Sequence, residues 1–213
     1  MKTTMFWWIA VAGGVGAVAG IALLSGSIVS NVEQPKYEVV AADQKVEIRD
    51  YAPMIVAEAE VSGERSQAIR DGFRIIADYI FGNNMSSRKV AMTAPVTQQP
   101  SEKIAMTAPV IQQGKENAWQ VRFVMPSNYT LESLPRPNNP AVKLSMIAGK
   151  RFAVIRFSGL AGEDRLKRET DELVEFIKNR NLTVTSGPTY AFYNPPWTMP
   201  FLRRNEIMIE VAS

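Results

Sequence analysis

Neither cysteine nor histidine occurs anywhere in the 213 residues of this chain. Without cysteine the protein can form no disulfide, no thiolate nucleophile and no zinc–sulfur site. Without histidine it lacks the most common general base, the most common metal ligand, and every Ser-His or Cys-His pair. These absences exclude much of conventional enzyme chemistry, so we expect a protein that is not an enzyme.

A strong excess of charge is also missing. The chain has 24 basic and 21 acidic residues, a formal net charge of +3, and the two signs are interspersed along it. A nucleic-acid-binding surface needs a dense basic patch or stripe to neutralise phosphates. The composition therefore predicts no nucleic-acid partner.

One long hydrophobic run is present, at the N-terminus. Phe6 to Leu24 contains no charged residue, and as a helix it would extend about 28 Å, close to the thickness of the hydrocarbon core of a bilayer. Trp7 and Trp8 lie at its start, where indole rings favour the headgroup level, and Lys2 is the only charge before it. We expect a single-pass anchor in the cytoplasmic membrane, with the N-terminus in the cytoplasm and the domain on the exported side.

A cleaved signal peptide is the alternative interpretation of the same run. Ser25-Gly26-Ser27 supplies small residues suited to cleavage. We favour an uncleaved anchor over residues 1–24, because the apolar run is longer than the core of a typical signal peptide. A polar linker over 25–36 and a globular domain over 37–213 would follow.

Two stretches of the remaining chain repeat one pattern. In the first, strands Val46–Tyr51 and Met54–Val61 are predicted to form a hairpin, and a helix from Glu64 to Phe81 follows. In the second, strands Val142–Ile147 and Arg151–Ser158 precede a helix from Glu163 to Asn179. The apolar positions of the two helices share one spacing, and each position in the second helix lies 97 residues after its counterpart: Ile69, Phe73, Ile76, Ala77 and Ile80, then Leu166, Thr170, Leu173, Val174 and Ile177.

This repeat predicts an α+β fold with pseudo-twofold symmetry. We expect an antiparallel sheet curled towards a distorted β-barrel, with the two helices packed outside it. The other predicted strands are Val90–Val96, Lys103–Gln112, Trp119–Met125, Leu182–Tyr193 and Glu206–Val211.

Several short motifs lie between and after these elements. The stretch from Lys89 to Val96, KVAMTAPV, is followed by KIAMTAPV from Lys103 to Val110. Near the C-terminus stand Tyr193-Asn194-Pro195-Pro196-Trp197 and Arg203-Arg204-Asn205-Glu206-Ile207. In this order and spacing the set resembles the SOUL haem-binding protein family, over about residues 37–212.

The resemblance implies non-covalent binding of haem or another tetrapyrrole beside the first helix. The matching positions are Ile69, Arg70, Phe73, Arg74 and Ala77, with Trp197 in the nearby Pro-Pro loop. Such a site makes physical sense, because burial stabilises a porphyrin face and Arg can pair bidentately with its propionates. Buffering or transfer of haem would be the corresponding role.

The chain departs from the family at two points. Some members offer a histidine to the iron, and this chain has none, so an axial ligand would have to be Met, Tyr or Lys, or be absent. Members that bind haem carry a basic residue in the Pro-Pro loop, where this chain has Trp197-Thr198-Met199 with one residue inserted. Which residue, if any, would contact the iron is left open.

The alternative function is a small-molecule-binding domain or hydrolase of the gyrase-inhibitor-like type, with Glu and Tyr as the working groups. Tyr190 and Tyr193 with Glu206 or Glu210 are the candidates. For Arg203, Arg204 and Glu206 we favour a structural ion pair and strand entry over a catalytic set.

Overall fold

The computed structural model describes residues 32–86, 101–115, 117–195 and 197–212. The predicted membrane segment and the predicted strand Val90–Val96 lie outside these ranges. No helix within the described part of the chain is long and apolar enough to cross a membrane.

The described residues form an α+β fold with eleven strands and two long helices. The strands are β1 Tyr37–Asp43, β2 Val46–Tyr51, β3 Met54–Ser62, β4 Asn84–Met85, β5 Val110–Lys115, β6 Ala118–Val124, β7 Arg136–Pro137, β8 Lys143–Ile147, β9 Lys150–Phe157, β10 Thr189–Phe192 and β11 Asn205–Glu210. The helices are α1 Arg65–Ile80 and α2 Glu163–Asn179, and a short 3-10 helix covers Pro200–Leu202.

Nine of the strands make one curled antiparallel sheet, as the sequence predicted. Its order is β1-β2-β9-β11-β10-β5-β6-β3-β8, and β4 and β7 pair separately. If β1 is set aside, the order is symmetric about the β10–β5 contact, since β2, β9, β11 and β10 occupy the places that β8, β3, β6 and β5 occupy in the other half. The duplication seen in the helix spacing is therefore present in the sheet.

The predicted hairpin of Val46–Tyr51 and Met54–Val61 is wrong, because each strand pairs with a strand of the other repeat. β2 pairs with β9 and β3 pairs with β8, so the two repeats exchange partners. Val46 faces Ile155 in one pairing, and Met54 faces Ile147 in the other. The two pairings share one antiparallel register. Local alternation marks each strand correctly, but it does not identify the strand across from it.

Two other predicted strands are shorter than expected. Residues 101–109 form no strand: the amide of Ile104 donates to the Ile80 carbonyl and that of Ala108 to the Glu33 carbonyl, while Pro109 has no N–H to offer a ladder. The predicted strand Leu182–Tyr193 is reduced to β10, since Gly187-Pro188 precedes it. β1 was not predicted at all.

The helices lie on one face of the sheet over separate hydrophobic clusters. α2 packs on β9 and β11, where Leu166, Leu173 and Ile177 are buried. α1 packs on β3 and β6, where Ile76 and Ile80 are buried. The opposite, concave face holds a third cluster that includes Tyr51, Val154, Tyr193 and Met208.

Candidate functional site

The N-terminus of α1 is fixed by Glu64. Its carboxylate accepts hydrogen bonds from the amides of Ser66 and Gln67, at 2.8 and 3.2 Å. Both amides would otherwise lack a partner within the helix. The cap therefore determines where the helix begins.

Gly72 brings α1 unusually close to the sheet. A Cβ atom at this position would lie 2.6 Å from Cγ2 of Val121 on β6. The buried row of the helix therefore runs through Ala68, Gly72, Ile76 and Ile80. This row is rotated from the predicted stripe, which had Ile69 and Phe73 at its centre.

The rotation leaves Phe73 at the edge of the helix, with 41% of its surface exposed. Its ring stacks edge-to-face on Phe123, with the centroids 5.2 Å apart. Ile69 is half-buried against the same cluster and Ala77 is buried. These three residues form an apolar strip along one side of α1 that is closed at Ala77 and open at Phe73.

Arg70 and Arg74 are exposed next to this strip, and among the described residues their hydrogen bonds and ion pairs are made within α1. Arg70 donates to the hydroxyl of Ser66 and to the side-chain carbonyl of Gln67, and Arg74 pairs with Asp71 at 3.4 Å. Exposed pairs of this kind contribute about 0–1 kcal/mol. Both guanidinium groups can therefore turn towards an anionic ligand at little cost.

Trp197 lies in a different region, in the loop between β10 and β11, and its side chain is 85% exposed. The loop is held by backbone hydrogen bonds from Gly159 to Pro200 and from Thr198 to Pro195. None of the contacts recorded for the described residues joins Trp197 to α1. Its inclusion in one site with Arg70 and Phe73 remains a prediction.

α1 offers no axial ligand for a haem iron. Tyr79 is its only Tyr, Met or Lys, and that side chain is buried with its hydroxyl donating to the Pro135 carbonyl at 2.8 Å. Burial also raises the pKa of Tyr79 above its ordinary value of 10.0. Within the described ranges, no cluster of three or more Asp or Glu residues is arranged to hold a metal ion.

A second feature is a cavity of about 320 Å³ on the concave face of the sheet. Its walls combine apolar and polar side chains, and include Tyr51, Met54, Phe152, Tyr193, Met208, Lys150 and Glu210. Local sequence patterns could not predict this cavity, because its walls come from strands of both repeats. Ligand pockets are commonly about 300–1,000 Å³, so it suits a ligand smaller than a tetrapyrrole.

Beside this cavity lies a buried ion network centred on Glu206. Its carboxylate receives two hydrogen bonds from Arg49, at 3.0 and 3.2 Å, one from Arg204 at 2.9 Å and one from the Tyr193 hydroxyl at 2.8 Å. Arg49 was not anticipated as a partner, although the alternation of β2 places it on the same face as Tyr51.

These partners determine the acidity of Glu206. Burial alone would raise the pKa of its carboxyl group, but Arg49 and Arg204 outweigh burial and hold that pKa below the ordinary value of 4.5. Burial and the Glu206 charge raise the pKa of Tyr193 well above 10.0. A carboxylate with this pKa and this many donors is a poor proton acceptor, so the arrangement fits a structural ion pair and not a catalytic pair.

Solved structures with this fold share little sequence with the chain. The C-terminal domain of EcmrR matches with a TM-score of 0.57 at 12% identity, covering 83% of this chain and 98% of that one. A hydrolase from Listeria innocua matches with a TM-score of 0.53 at 14% identity, covering 81% and 94%. At these identities the likeness concerns the fold alone.

Similarity in sequence identifies a family, whereas the structural likeness shows the fold alone. No curated protein matches the chain significantly. The family model described as SOUL heme-binding protein, however, matches residues 32–210, which includes nearly all of the described residues. On this match, together with the curled sheet and its two helices, the chain belongs to the SOUL haem-binding protein family.

Proposed function

We propose that this protein binds haem or a related tetrapyrrole non-covalently on the open side of α1, without histidine ligation and without catalysis. The observation that carries the proposal is the half-exposed ring of Phe73, which continues an apolar strip and lies beside two cations whose contacts are local. Family membership supports the choice of ligand.

The chemistry of the strip suits the two parts of a tetrapyrrole. The macrocycle would cover Ile69 and Phe73, and removing apolar surface from water contributes about 25 cal/mol per Å². Arg70 and Arg74 would pair with the propionates at the solvent edge, where Arg forms bidentate hydrogen bonds with carboxylates. Ala77 offers a small side chain at the closed end of the strip.

Buffering or transfer of haem at a membrane is the role that we propose for this binding. The support is the apolar run Phe6–Leu24, which would hold the domain on the exported side of the cytoplasmic membrane. A haem whose iron has no protein ligand from α1 would dissociate readily. Ready dissociation favours transfer of the haem over its retention for catalysis.

Titration of hemin into residues 32–213 tests the proposal. These residues contain all three hydrophobic clusters of the described chain. We expect a shift of the Soret band that saturates at one hemin per chain. A titration of metal-free protoporphyrin, followed by its fluorescence, should saturate at the same stoichiometry. Absence of saturable binding at micromolar hemin would overturn the proposal.

A second candidate function is binding of a smaller molecule in the cavity of the concave face. Its observation is the cavity itself, with Tyr51, Phe152 and Met208 among its walls. Ester hydrolysis there would need a free base, and Glu206 is fully engaged by its three partners. Turnover of a p-nitrophenyl ester that is lost in Glu210→Gln would support this candidate, and turnover at the buffer rate would reject hydrolysis.

A further inference from the structure

One exposed apolar surface lies on the loops that follow β9 and β10. It consists of Leu160, in the loop that follows β9, and of Trp197, Met199, Phe201 and Leu202, in the loop between β10 and β11. We name it the loop patch. Trp197 and Phe201 are 85% and 69% exposed, and Leu160 and Met199 are each exposed by more than half. Apolar side chains gathered in this way mark a surface that another apolar phase covers.

The loop patch is a built surface. The amide of Gly159 donates to the Pro200 carbonyl at 2.9 Å, which joins the two loops. The guanidinium of Arg203 donates to the Thr198 carbonyl at 2.8 Å, and the side-chain amide of Asn205 donates to the Gly159 carbonyl at 3.0 Å. The polar groups are thus turned inward, and the large apolar side chains are held outward.

The described chain begins close to this surface. Gln34 accepts a hydrogen bond from the Arg204 guanidinium at 3.0 Å, and Arg204 follows the loop patch directly in the sequence. Val32 packs against the cluster that contains Tyr193, at the end of β10 from which the loop emerges.

This position limits how far the predicted membrane segment can lie from the loop patch. Nine residues lie between Leu24 and Gln34, and the ten steps along this segment reach about 35 Å even when fully extended. If Phe6–Leu24 spans the bilayer, the loop patch is confined to the layer of solvent next to the lipid surface.

We propose that the loop patch docks into the interface of the bilayer that residues 6–24 are predicted to span. Trp and other amphipathic aromatic side chains favour the headgroup level, and Phe, Leu and Met would enter the adjacent acyl region. Arg156, exposed at the end of β9 near Leu160, can contact anionic headgroups. Docking would fix the orientation of the domain on the membrane, which a flexible linker alone would not do.

The absence of cysteine gives this proposal a direct test with the full chain. Leu160→Cys introduces one labelling position at the rim of the loop patch and leaves its other members intact. Gly187→Cys is the matched control, because a Cβ there meets nothing within 4 Å. Gly187 lies just before β10, whereas Trp197 and Phe201 of the loop patch lie after this strand. Each variant, carrying an NBD fluorophore, is reconstituted into vesicles of phosphatidylcholine and phosphatidylglycerol with or without doxyl-labelled lipid.

We expect doxyl lipid to quench NBD at position 160 several-fold more than at position 187. The further substitutions Trp197→Asp and Phe201→Asp should abolish that quenching, while the chain still sediments with the vesicles through residues 6–24. Equal quenching at the two positions, or quenching that survives both substitutions, would overturn the proposal. The proposal would also be overturned if the NBD label at position 160 were protected from quenching by aqueous iodide but not quenched by doxyl lipid. A protein surface would then cover the loop patch.

Hemin binding keeps this result separate from the proposed function. Phe201→Asp should leave the hemin affinity of the full chain unchanged, because Phe201 is not part of the apolar strip of α1. A reduced hemin affinity of this variant together with unchanged lipid quenching would contradict the docking role.

Discussion

The guanidinium of Arg49 and the carboxylate of Glu206 form a two-point ion pair inside the sheet, with donor–acceptor distances of 3.0 and 3.2 Å. The side chain of Arg49 is 2% exposed and that of Glu206 is completely buried. Arg204 and Tyr193 complete the shell around the carboxylate. Because the residues come from β2, from β11 and from the segments next to β10 and β11, the pair ties together strands from both ends of the sequence.

Removal of the charge at the centre of this network should be costly. Glu206→Gln would leave Arg49 and Arg204 buried without a counter-charge, and breaking a buried pair in this way costs about 3–5 kcal/mol. We expect a loss of that size in the free energy of unfolding, measured by urea denaturation of residues 32–213.

Glu210→Gln is the matched control on the same strand. Glu210 pairs with Lys150 at 2.7 Å, but both side chains reach solvent. Exposed pairs contribute about 0–1 kcal/mol, so the loss should be small. Similar losses for the two variants would contradict the assignment of Glu206 as a structural centre.

The same pair predicts how stability depends on pH. The folded pKa of Glu206 lies below its ordinary value of 4.5, so the unfolded chain takes up the proton first as the pH falls. The stability that Glu206 contributes is therefore complete above about pH 4.5 and is lost as the pH falls through the lowered folded pKa. Denaturant midpoints measured from pH 6 downwards should decline less steeply in Glu206→Gln; equal slopes would contradict the shift.

Contact between α1 and the sheet gives a third prediction. In Gly72→Ala the new methyl group would meet Val121 at 2.6 Å, and overpacking of this kind costs about 1–3 kcal/mol. We expect the urea midpoint to fall accordingly. Gly187→Ala is the control, because a Cβ there meets nothing within 4 Å. A midpoint for Gly72→Ala equal to that of the control would show that α1 does not approach β6 this closely.

Local patterns in the sequence predicted the elements well. The predicted bounds of α2, Glu163 to Asn179, are those observed, and α1 differs only in that Glu64 and Phe81 are its caps. The repeat spacing correctly predicted a duplicated α+β scaffold. Pairing was harder, because β2 and β3 are adjacent in sequence but find their partners about a hundred residues away.

The sequence places the candidate site on α1, but it does not predict how α1 is turned on the sheet. The helical period placed Ile69 and Phe73 at the centre of the apolar face, whereas the close approach at Gly72 turns Phe73 to the edge. A glycine inside a helix signals such an approach only once the facing Val121 is known. Arg49 was missed for a related reason: its partner Glu206 lies 157 residues further along the chain.

Charge at the edge of α1 can be tested by reversal. Arg70→Glu should weaken hemin binding, since a carboxylate would replace the cation expected to meet a propionate. Arg168→Glu is the matched control, because Arg168 is an exposed arginine on the other helix, α2. Equal affinities of the two variants would remove Arg70 from the site.

The central claim is that the open side of α1 holds the tetrapyrrole, and the affinity of Phe73→Asp for hemin tests it most directly. Phe201→Asp is the control, because Phe201 is an exposed aromatic residue of the loop patch, outside the strip. We expect the Kd of Phe73→Asp to rise about tenfold or more, equivalent to about 1.4 kcal/mol, while that of Phe201→Asp stays at the parent value. If both folded variants bind hemin as tightly as the parent chain, the tetrapyrrole does not bind at this face.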